Sequence, residues 1–163
     1  MNGKLVDKVN GEVITDAEGN EITTSETFIA EEKDGSIDIT FKFDSSALAG
    51  KSLVAFEFLT AEGKEVAVHA DLTDEGQTVR IPEIHTTATD KVTGDHDGVV
   101  AKETTVLDEV FYKNLIPGKE YTVKGVLMNK ETGEEVLIDD KPITAETTFT
   151  PEKSEESVDV IFT

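Results

Sequence analysis

Five polar side chains of this 163-residue chain have the types that an acyl transfer between two side chains requires. They are a hydroxyl, a carboxamide, an imidazole and two carboxylates: Thr86, Gln77, His69, Glu57 and Asp108. A threonine Oγ can attack the side-chain carbonyl of glutamine while a base takes the hydroxyl proton and a hydrogen-bond donor stabilises the oxyanion. Ammonia then leaves, and the product is an ester that joins threonine to glutamine.

The alternation of side chains along β-strands turns these groups toward apolar faces. Glu57 lies in a run whose two faces are both apolar, and Gln77 and Asp108 each alternate with valines on the same face. Burying such groups without partners would cost several kcal/mol each, so we expect them to meet in a shared polar network. A set of ordinary core hydrogen bonds is the simplest interpretation of any one of them, and the combination favours chemistry.

Two neighbouring threonines are candidates for the nucleophile. Thr86 alternates with the apolar residues of its strand, whereas Thr87 shares the opposite face with His85. The alternation therefore favours Thr86 and leaves Thr87 as the alternative. Because Glu57, Gln77 and Thr86 are all predicted to be buried, we do not expect an open cleft for a turnover enzyme.

The elements that must position these residues are predicted to be strands throughout. Short runs rich in Val, Ile, Thr, Phe and Tyr are separated by Gly, Asp and Asn clusters at intervals of about 8–14 residues, which is typical of an antiparallel sandwich. Candidate strands are 36–43, 52–60, 64–71, 77–82, 84–89, 103–112, 119–128, 135–139, 145–150 and 157–163. The prediction is an all-β, immunoglobulin-like antiparallel β-sandwich.

The two ends of the chain repeat each other. Residues 22–41 match residues 143–162 without a gap, and eight of these 20 positions are identical. A domain repeated every 120–130 residues or so would produce this overlap. We therefore interpret residues 1–83 as the C-terminal part of one repeat and residues 84–163 as the N-terminal part of the next. The alternative is a single two-lobed domain with an internal duplication.

Several motifs together resemble the VaFE-repeat, or T-Q ester-bond, domains of surface-anchored adhesins in Gram-positive bacteria. The matching motifs are VAFE at 54–57, H-x-D-x-x-D-x-x-Q-T from His69 to Thr78, I-x-T-x-A-x-D from Ile84 to Asp90, and YKNLIPGKEYTVKGVLM at 112–128. The resemblance implies sandwich repeats stacked as a stalk, each stapled by an autocatalytic ester between its first and last strands. The chain would thus be a structural segment that reacts once, and not an enzyme with turnover.

Position in these motifs implies a role for each candidate residue. Thr86 corresponds to the nucleophile and Gln77 to the residue that it acylates, while His69, Glu57 and Asp108 correspond to the groups that activate the pair. In the family the threonine precedes its glutamine by nearly a whole domain, whereas here Gln77 precedes Thr86. The two residues therefore belong to successive repeats, and neighbouring repeats of the same protein are the expected partners.

Composition narrows the functional classes further. The net charge of −20 excludes sequence-independent binding to nucleic acid and contact with anionic membrane surfaces. The lack of cysteine removes disulfides and thiol chemistry. The GDHDG loop at 94–98 lacks the spacing of a calcium loop, so no metal or other cofactor is expected. An extracellular, cell-wall location follows from the resemblance alone.

Two other functions stay open from the sequence. One is a host-binding adhesin module for a glycan or protein of unknown identity. The other is a pilin-like domain closed by an isopeptide bond, for which Lys124 is the one lysine that could lie in phase with an apolar run.

Overall fold

The computed structural model describes all 163 residues, and the chain divides into two compact units, Met1–Ile81 and Pro82–Thr163. Both units are built from antiparallel strands, so the prediction of an all-β fold is confirmed. Unit 1 contains β1 (Asn2–Asp7), β2 (Thr23–Ser25), the 3-10 helix η1 (Ser46–Leu48), β3 (Ser52–Ala61), β4 (Lys64–His69), the 3-10 helix η2 (Glu75–Gln77) and β5 (Thr78–Arg80). Unit 2 contains β6 (Glu83–Asp90), β7 (Val106–Lys113), β8 (Tyr121–Val126), β9 (Leu137–Ile138), β10 (Lys141–Pro142), β11 (Thr144–Phe149) and β12 (Glu156–Phe162).

Unit 1 is organised around β3. The strand order is β2-β1-β3-β4, and β5 also pairs with β3. The second half of β3 pairs with β4 and its first half with β5, so these two strands follow one another along the same edge. The core of the unit consists of buried aliphatic side chains: Leu5, Ile14, Ile22, Leu48 and Leu53. Burial of these residues supplies the main driving force for folding of the unit.

The predicted strand at 36–43 does not form. Phe41 and Phe43 of this segment pack against the core, and a Cβ placed on Gly3 would lie only 2.7 Å from Phe41 Cζ. The matching residues of unit 2 do form a strand, β12, because they pair with β7 along their whole length. Unit 1 contains no strand equivalent to β7, so the backbone of 36–43 has no ladder to join.

Unit 2 is a small sandwich of two main sheets. One has the order β12-β7-β6, the other pairs β11 with β8, and β9 with β10 forms a separate two-stranded ribbon. Val110, Val160 and Phe162 form the buried centre, against which side chains of the β8–β11 sheet pack. A Cβ on Gly125 would lie 2.5 Å from Phe162 Cζ. A side chain at this position of β8 would therefore collide with the ring unless the ring or the strand moved.

The repeated sequence folds with the same register in both units. Gly3 of β1 lies opposite Thr24 of β2, and Gly125 of β8 lies opposite Ala145 of β11. On its other edge β1 pairs with β3, whereas β8 pairs with β11 alone. Equivalent backbone hydrogen bonds recur: Leu5 N to Ile22 O (3.1 Å) and Leu127 N to Ile143 O (3.0 Å), and Gly11 N to Asp7 O and Gly133 N to Asn129 O (both 2.8 Å). Each unit thus contains a strand type that the other lacks, β3 in unit 1 and β7 in unit 2.

Candidate functional site

The β3–β4 hairpin brings Glu57 and His69 together. Its two turn residues, Glu62 (φ 52°) and Gly63 (φ 73°), both adopt the left-handed conformation of a tight hairpin turn. A register shift after Leu59 then places His69, rather than Val68, directly opposite Glu57. Residues directly opposite one another in an antiparallel pair point to the same face. The bulge therefore determines that the imidazole and the carboxyl group share one side of the sheet.

Glu57 lies on the face of β3 that also carries Leu53 of the core. The side chain is half-buried, and burial raises the pKa of the Glu57 carboxyl above its usual range; the charge of Asp74 raises it further and His69 opposes this shift. A carboxyl group with a raised pKa keeps its proton to a higher pH and can then donate a hydrogen bond.

A groove of about 680 Å³ opens over Glu57 and His69. One wall is the segment 28–37, which ends in Ile37, and the floor includes Leu59 and Ala67. The polar pair thus lines this groove together with apolar side chains, and the side chain of His69 is itself 50% exposed. The groove is lined by residues of unit 1.

Gln77 is the last residue of η2, which lies against β3. Thr78, the next residue, pairs with Val54 of β3, so Gln77 follows His69 along the same edge of that strand. Gln77 is partly buried, and Val79, which was predicted to face the core with it, is 56% exposed. Unit 1 therefore brings three of the five candidate groups to the junction between β4 and β5.

Asp74 also belongs to this junction and is not among the five residues predicted from the sequence. The ring Nε2 of His69 lies 2.9 Å from Asp74 Oδ2. The signal was present in the H-x-D-x-x-D-x-x-Q-T spacing, where Asp74 lies between the histidine and the glutamine. Alternation could not identify it, because residues 70–74 lie between β4 and η2 and do not form a strand.

Unit 2 contains the other two candidates, on one face of the β6–β7 pair. Thr86 lies opposite Val110 and Ala88 lies opposite Asp108, so Thr86 and Asp108 are diagonal neighbours on the face that includes the buried Tyr112. Thr86 itself is exposed, and the prediction of its burial is wrong. The reason is that β6 is an edge strand that pairs with β7 alone, and Ile84 on the same face is likewise 58% exposed.

Thr87 points to the opposite face of β6. It lies opposite Glu109, and the neighbouring rings of His85 and Phe111 stack on that face with centroids 4.9 Å apart. Ser157 Oγ donates to Glu109 Oε1 at 2.8 Å on the same side. Of the five residues predicted for the acyl transfer, none lies on this face of unit 2.

Asp108 contains a buried atom without a partner. Its Oδ1 is inaccessible to solvent and accepts no hydrogen bond. Leaving a buried acceptor unsatisfied costs about 1–3 kcal/mol, and more for a charged group. Such a cost is commonly tolerated at reactive sites, where another group completes the arrangement.

Two features considered from the sequence have ordinary structural roles. In the 94–98 loop, Asp95 Oδ1 accepts the backbone N–H of Asp97 at 2.9 Å, and no group of three or more His, Cys, Asp or Glu side chains could hold a metal ion. Lys124 is 75% exposed and forms a 2.9 Å ion pair with Glu146 across the β8–β11 sheet. This location does not provide the apolar surroundings that an isopeptide-forming lysine needs. No helix has the length and apolar character needed to span a membrane.

Comparison with known proteins gives one match. A family described as "T-Q ester bond containing domain" matches residues 1–81 and, a second time, residues 82–163. Searches among curated proteins and among solved structures gave no match. The two matched segments coincide with the two compact units.

Proposed function

Because the chain belongs to the family of T-Q ester bond containing domains, we propose that it is a stalk segment of a cell-surface adhesin closed by Thr–Gln ester bonds. Domains of this family are structural, cross-linking domains that occur in surface proteins. On this proposal, residues 1–83 are the C-terminal part of one repeat and residues 84–163 the N-terminal part of the next. Each repeat reacts once and needs no cofactor. The neighbouring repeats of the same protein are its partners in the stalk. The location is extracellular, at the cell wall of a Gram-positive bacterium.

The proposed reaction joins a Thr86-type hydroxyl to a Gln77-type carboxamide. The Oγ atom bonds to the side-chain Cδ, the imidazole of a His69-type residue takes the hydroxyl proton, and a protonated Glu57 donates a hydrogen bond to the oxyanion. The C–N bond then breaks, and the proton passes to the leaving nitrogen. One hydroxyl and one amide become one ester and one ammonia, with no change in oxidation state.

The observation that carries this proposal is the shared register of the two units. In unit 2 the strand β12 pairs with β7 so that Val158 lies opposite Val110, and Val110 in turn lies opposite Thr86. Ile37 matches Val158 in the repeat and lines the groove above Glu57. A β6–β7 hairpin paired with residues 35–41 in the same register would therefore bring its threonine over that groove.

The same placement accounts for two features of the units, the unpaired segment 36–43 and the exposed face of β6. It supplies the ladder that the segment 36–43 lacks, and it covers the open face of β6. It also brings a group from the Glu57 side toward Asp108, whose Oδ1 has no partner. Within this chain Gln77 precedes Thr86, so on this proposal the two residues belong to different repeats, and a complete arrangement combines the first and last strands of one repeat.

A rearranged chain tests the proposal directly. Residues 82–163 followed by residues 43–81 form one repeat in the family order, because Phe162 matches Phe41 and the next residues follow in register. We expect the purified, denatured protein to weigh less than its sequence by one ammonia. Neutral hydroxylamine should cleave the cross-link, because it attacks esters far faster than amides.

Single substitutions in the rearranged chain provide the controls. Thr86→Ala should abolish the mass loss, whereas Thr87→Ala should leave it unchanged because Thr87 lies on the opposite face. A rearranged chain that folds but retains its full mass would refute the proposed function. A cross-link that survives hydroxylamine would favour an isopeptide bond instead.

A further inference from the structure

We propose that Asp74 is a positioning residue for ester formation, holding the imidazole of His69 and the turn that carries Gln77 in one arrangement. This inference rests on the proposed function, and it concerns a residue that touches neither of the two reacting side chains. It follows from three sets of contacts in this loop: two that Asp74 makes, and a third, made by Asp71 and Glu75, that excludes those residues from the same role.

The first set links Asp74 to the helix η2. Asp74 is the N-cap of η2, and its Oδ1 accepts the backbone N–H of Gly76 at 2.7 Å. Its backbone oxygen accepts the hydroxyl of Thr78 at 2.7 Å and the backbone N–H of Gln77 at 3.3 Å. Capping of this kind stabilises the first turn of a helix. Asp74 therefore fixes the backbone on both sides of the glutamine.

The second contact links the same carboxylate to the site. Oδ2, the oxygen that is not used for capping, lies 2.9 Å from His69 Nε2. An ionised carboxylate can only accept hydrogen bonds, so the ring must carry a proton on Nε2. In the neutral imidazole the lone pair is then on Nδ1, and Nδ1 is the atom that can take a proton from a hydroxyl. One carboxylate thus selects the tautomer and also fixes the distance from the ring to the turn of Gln77.

The third set distinguishes Asp74 from other acidic residues of the same loop. The carboxylate of Asp71 accepts only from Thr73, through the N–H (2.8 Å) and the hydroxyl (2.7 Å) of that residue. Glu75 forms ion pairs with Lys8 and Arg80 on the exposed side of the turn. Neither residue makes a hydrogen bond to the imidazole. Glu75 is therefore a matched control, because it stabilises the same turn without touching His69.

The test separates positioning from capping. Asp74→Ser retains a capping oxygen for Gly76 but removes the partner of the imidazole. Glu75→Gln removes the ion pairs of the turn and leaves the imidazole untouched. In the natural-order chain, nitrogen–proton correlation spectra should show His69 with its proton on Nε2 in the parent and in Glu75→Gln. In Asp74→Ser the spectra should show a mixture of the two tautomers.

The second measurement is the rate of ammonia release on folding of the rearranged chain. Asp74→Ser should release ammonia at least about tenfold more slowly, because a catalytic base that is misplaced loses a large part of its effect. Glu75→Gln should stay within about twofold of the parent.

The outcomes decide whether Asp74 positions the imidazole or only stabilises the turn. Unchanged tautomer and unchanged rate in Asp74→Ser would overturn the positioning role, since a cap alone is retained in that variant. If Glu75→Gln slows the reaction as much as Asp74→Ser, stability of the turn explains both and the role is also refuted. If the parent rearranged chain releases no ammonia, the proposed function fails instead, and the tautomer in the natural-order chain still decides whether Asp74 fixes His69.

Discussion

Gly125→Ala should destabilise unit 2 by about 1–2 kcal/mol. The new Cβ would lie 2.5 Å from Phe162 Cζ and 3.3 Å from Cε1, whereas carbon atoms in contact prefer about 3.5–4.0 Å. The ring or the strand must therefore move by about 1 Å. Phe162 is only 4% exposed and packs with Val110 and Val160, so its ring has little space to enter. Forcing a methyl group into such a core costs about 1–3 kcal/mol, and the lower backbone entropy of alanine in the unfolded chain offsets up to about 1 kcal/mol of it.

A double-mutant cycle assigns this cost to the ring. Phe162→Leu shortens the side chain that the alanine would meet, so Gly125→Ala should cost less than half as much in that background as in the parent. The coupling between residues in direct contact is about 0.5–3 kcal/mol. Urea unfolding of the intact chain, followed by circular dichroism, measures all four free energies. An equal cost of Gly125→Ala in both backgrounds would refute the steric argument.

Gly3→Ala is the matched variant in unit 1. Its Cβ would lie 2.7 Å from Phe41 Cζ, but Phe41 is only partly buried and belongs to a segment without strand pairing. The ring can therefore move away, and the cost should stay below about 1 kcal/mol, the lower limit for overpacking. A cost larger than that of Gly125→Ala would contradict the view that the unpaired segment yields easily.

Three further predictions concern ionisable groups. In the rearranged chain, ammonia release should slow as pH rises through the raised pKa of Glu57, because the protonated form is the hydrogen-bond donor, and Glu57→Gln should remove this dependence in a mass-spectrometric time course. The hydrogen bond from Lys51 holds the pKa of Asp7 below its usual range. The stability that ionised Asp7 contributes is therefore present at neutral pH and is lost as pH falls through that lowered pKa. Asp7→Asn should cost about 1 kcal/mol at pH 7 and should flatten the acid side of the plot of unfolding free energy, measured in urea, against pH. Lys124→Met should change the unfolding free energy by less than about 0.5 kcal/mol and leave ammonia release intact, because Lys124 makes only an exposed ion pair with Glu146. Loss of the cross-link in this variant would favour an isopeptide bond.

Alternation and turn residues predicted most of the strands. The runs at 52–60 and 84–89 correspond to β3 and β6, and a strand at 157–163 appears as β12, because each has both the apolar pattern and a partner. The segment 36–43 has the same pattern and fails, since hydrogen-bond partners are a property of the whole unit. The strand β1 was not predicted, because its six residues include only two strongly apolar ones, Leu5 and Val6. Pairing with β3 stabilises it, and the sequence of β1 does not reveal that pairing.

The candidate site, like the strands, was predicted from the sequence only in part. Alternation with apolar neighbours and the chemistry of acyl transfer together selected Glu57, His69, Gln77, Thr86 and Asp108, and the family resemblance implied a role for each. Alternation also separated Thr86 from Thr87, and the register of β6 on β7 places them on opposite faces. Burial of Thr86 was predicted wrongly because alternation says which face a side chain shares but not whether another layer covers that face.

The sequence by itself determined the all-β class, the internal repeat and the chemical types in the candidate site, because periodicity and composition are local properties of the chain. Only the tertiary structure decided which groups meet. A bulge after Leu59 shifts the β3–β4 register so that His69 and not Val68 faces Glu57, and a turn after β4 returns Asp74 to the imidazole. Both depend on hydrogen bonds within a hairpin and a turn, and the alternation of side chains does not reveal where these form. A bulge exchanges the residue that faces each position of the partner strand, so the neighbour of Glu57 is known only once the register is known.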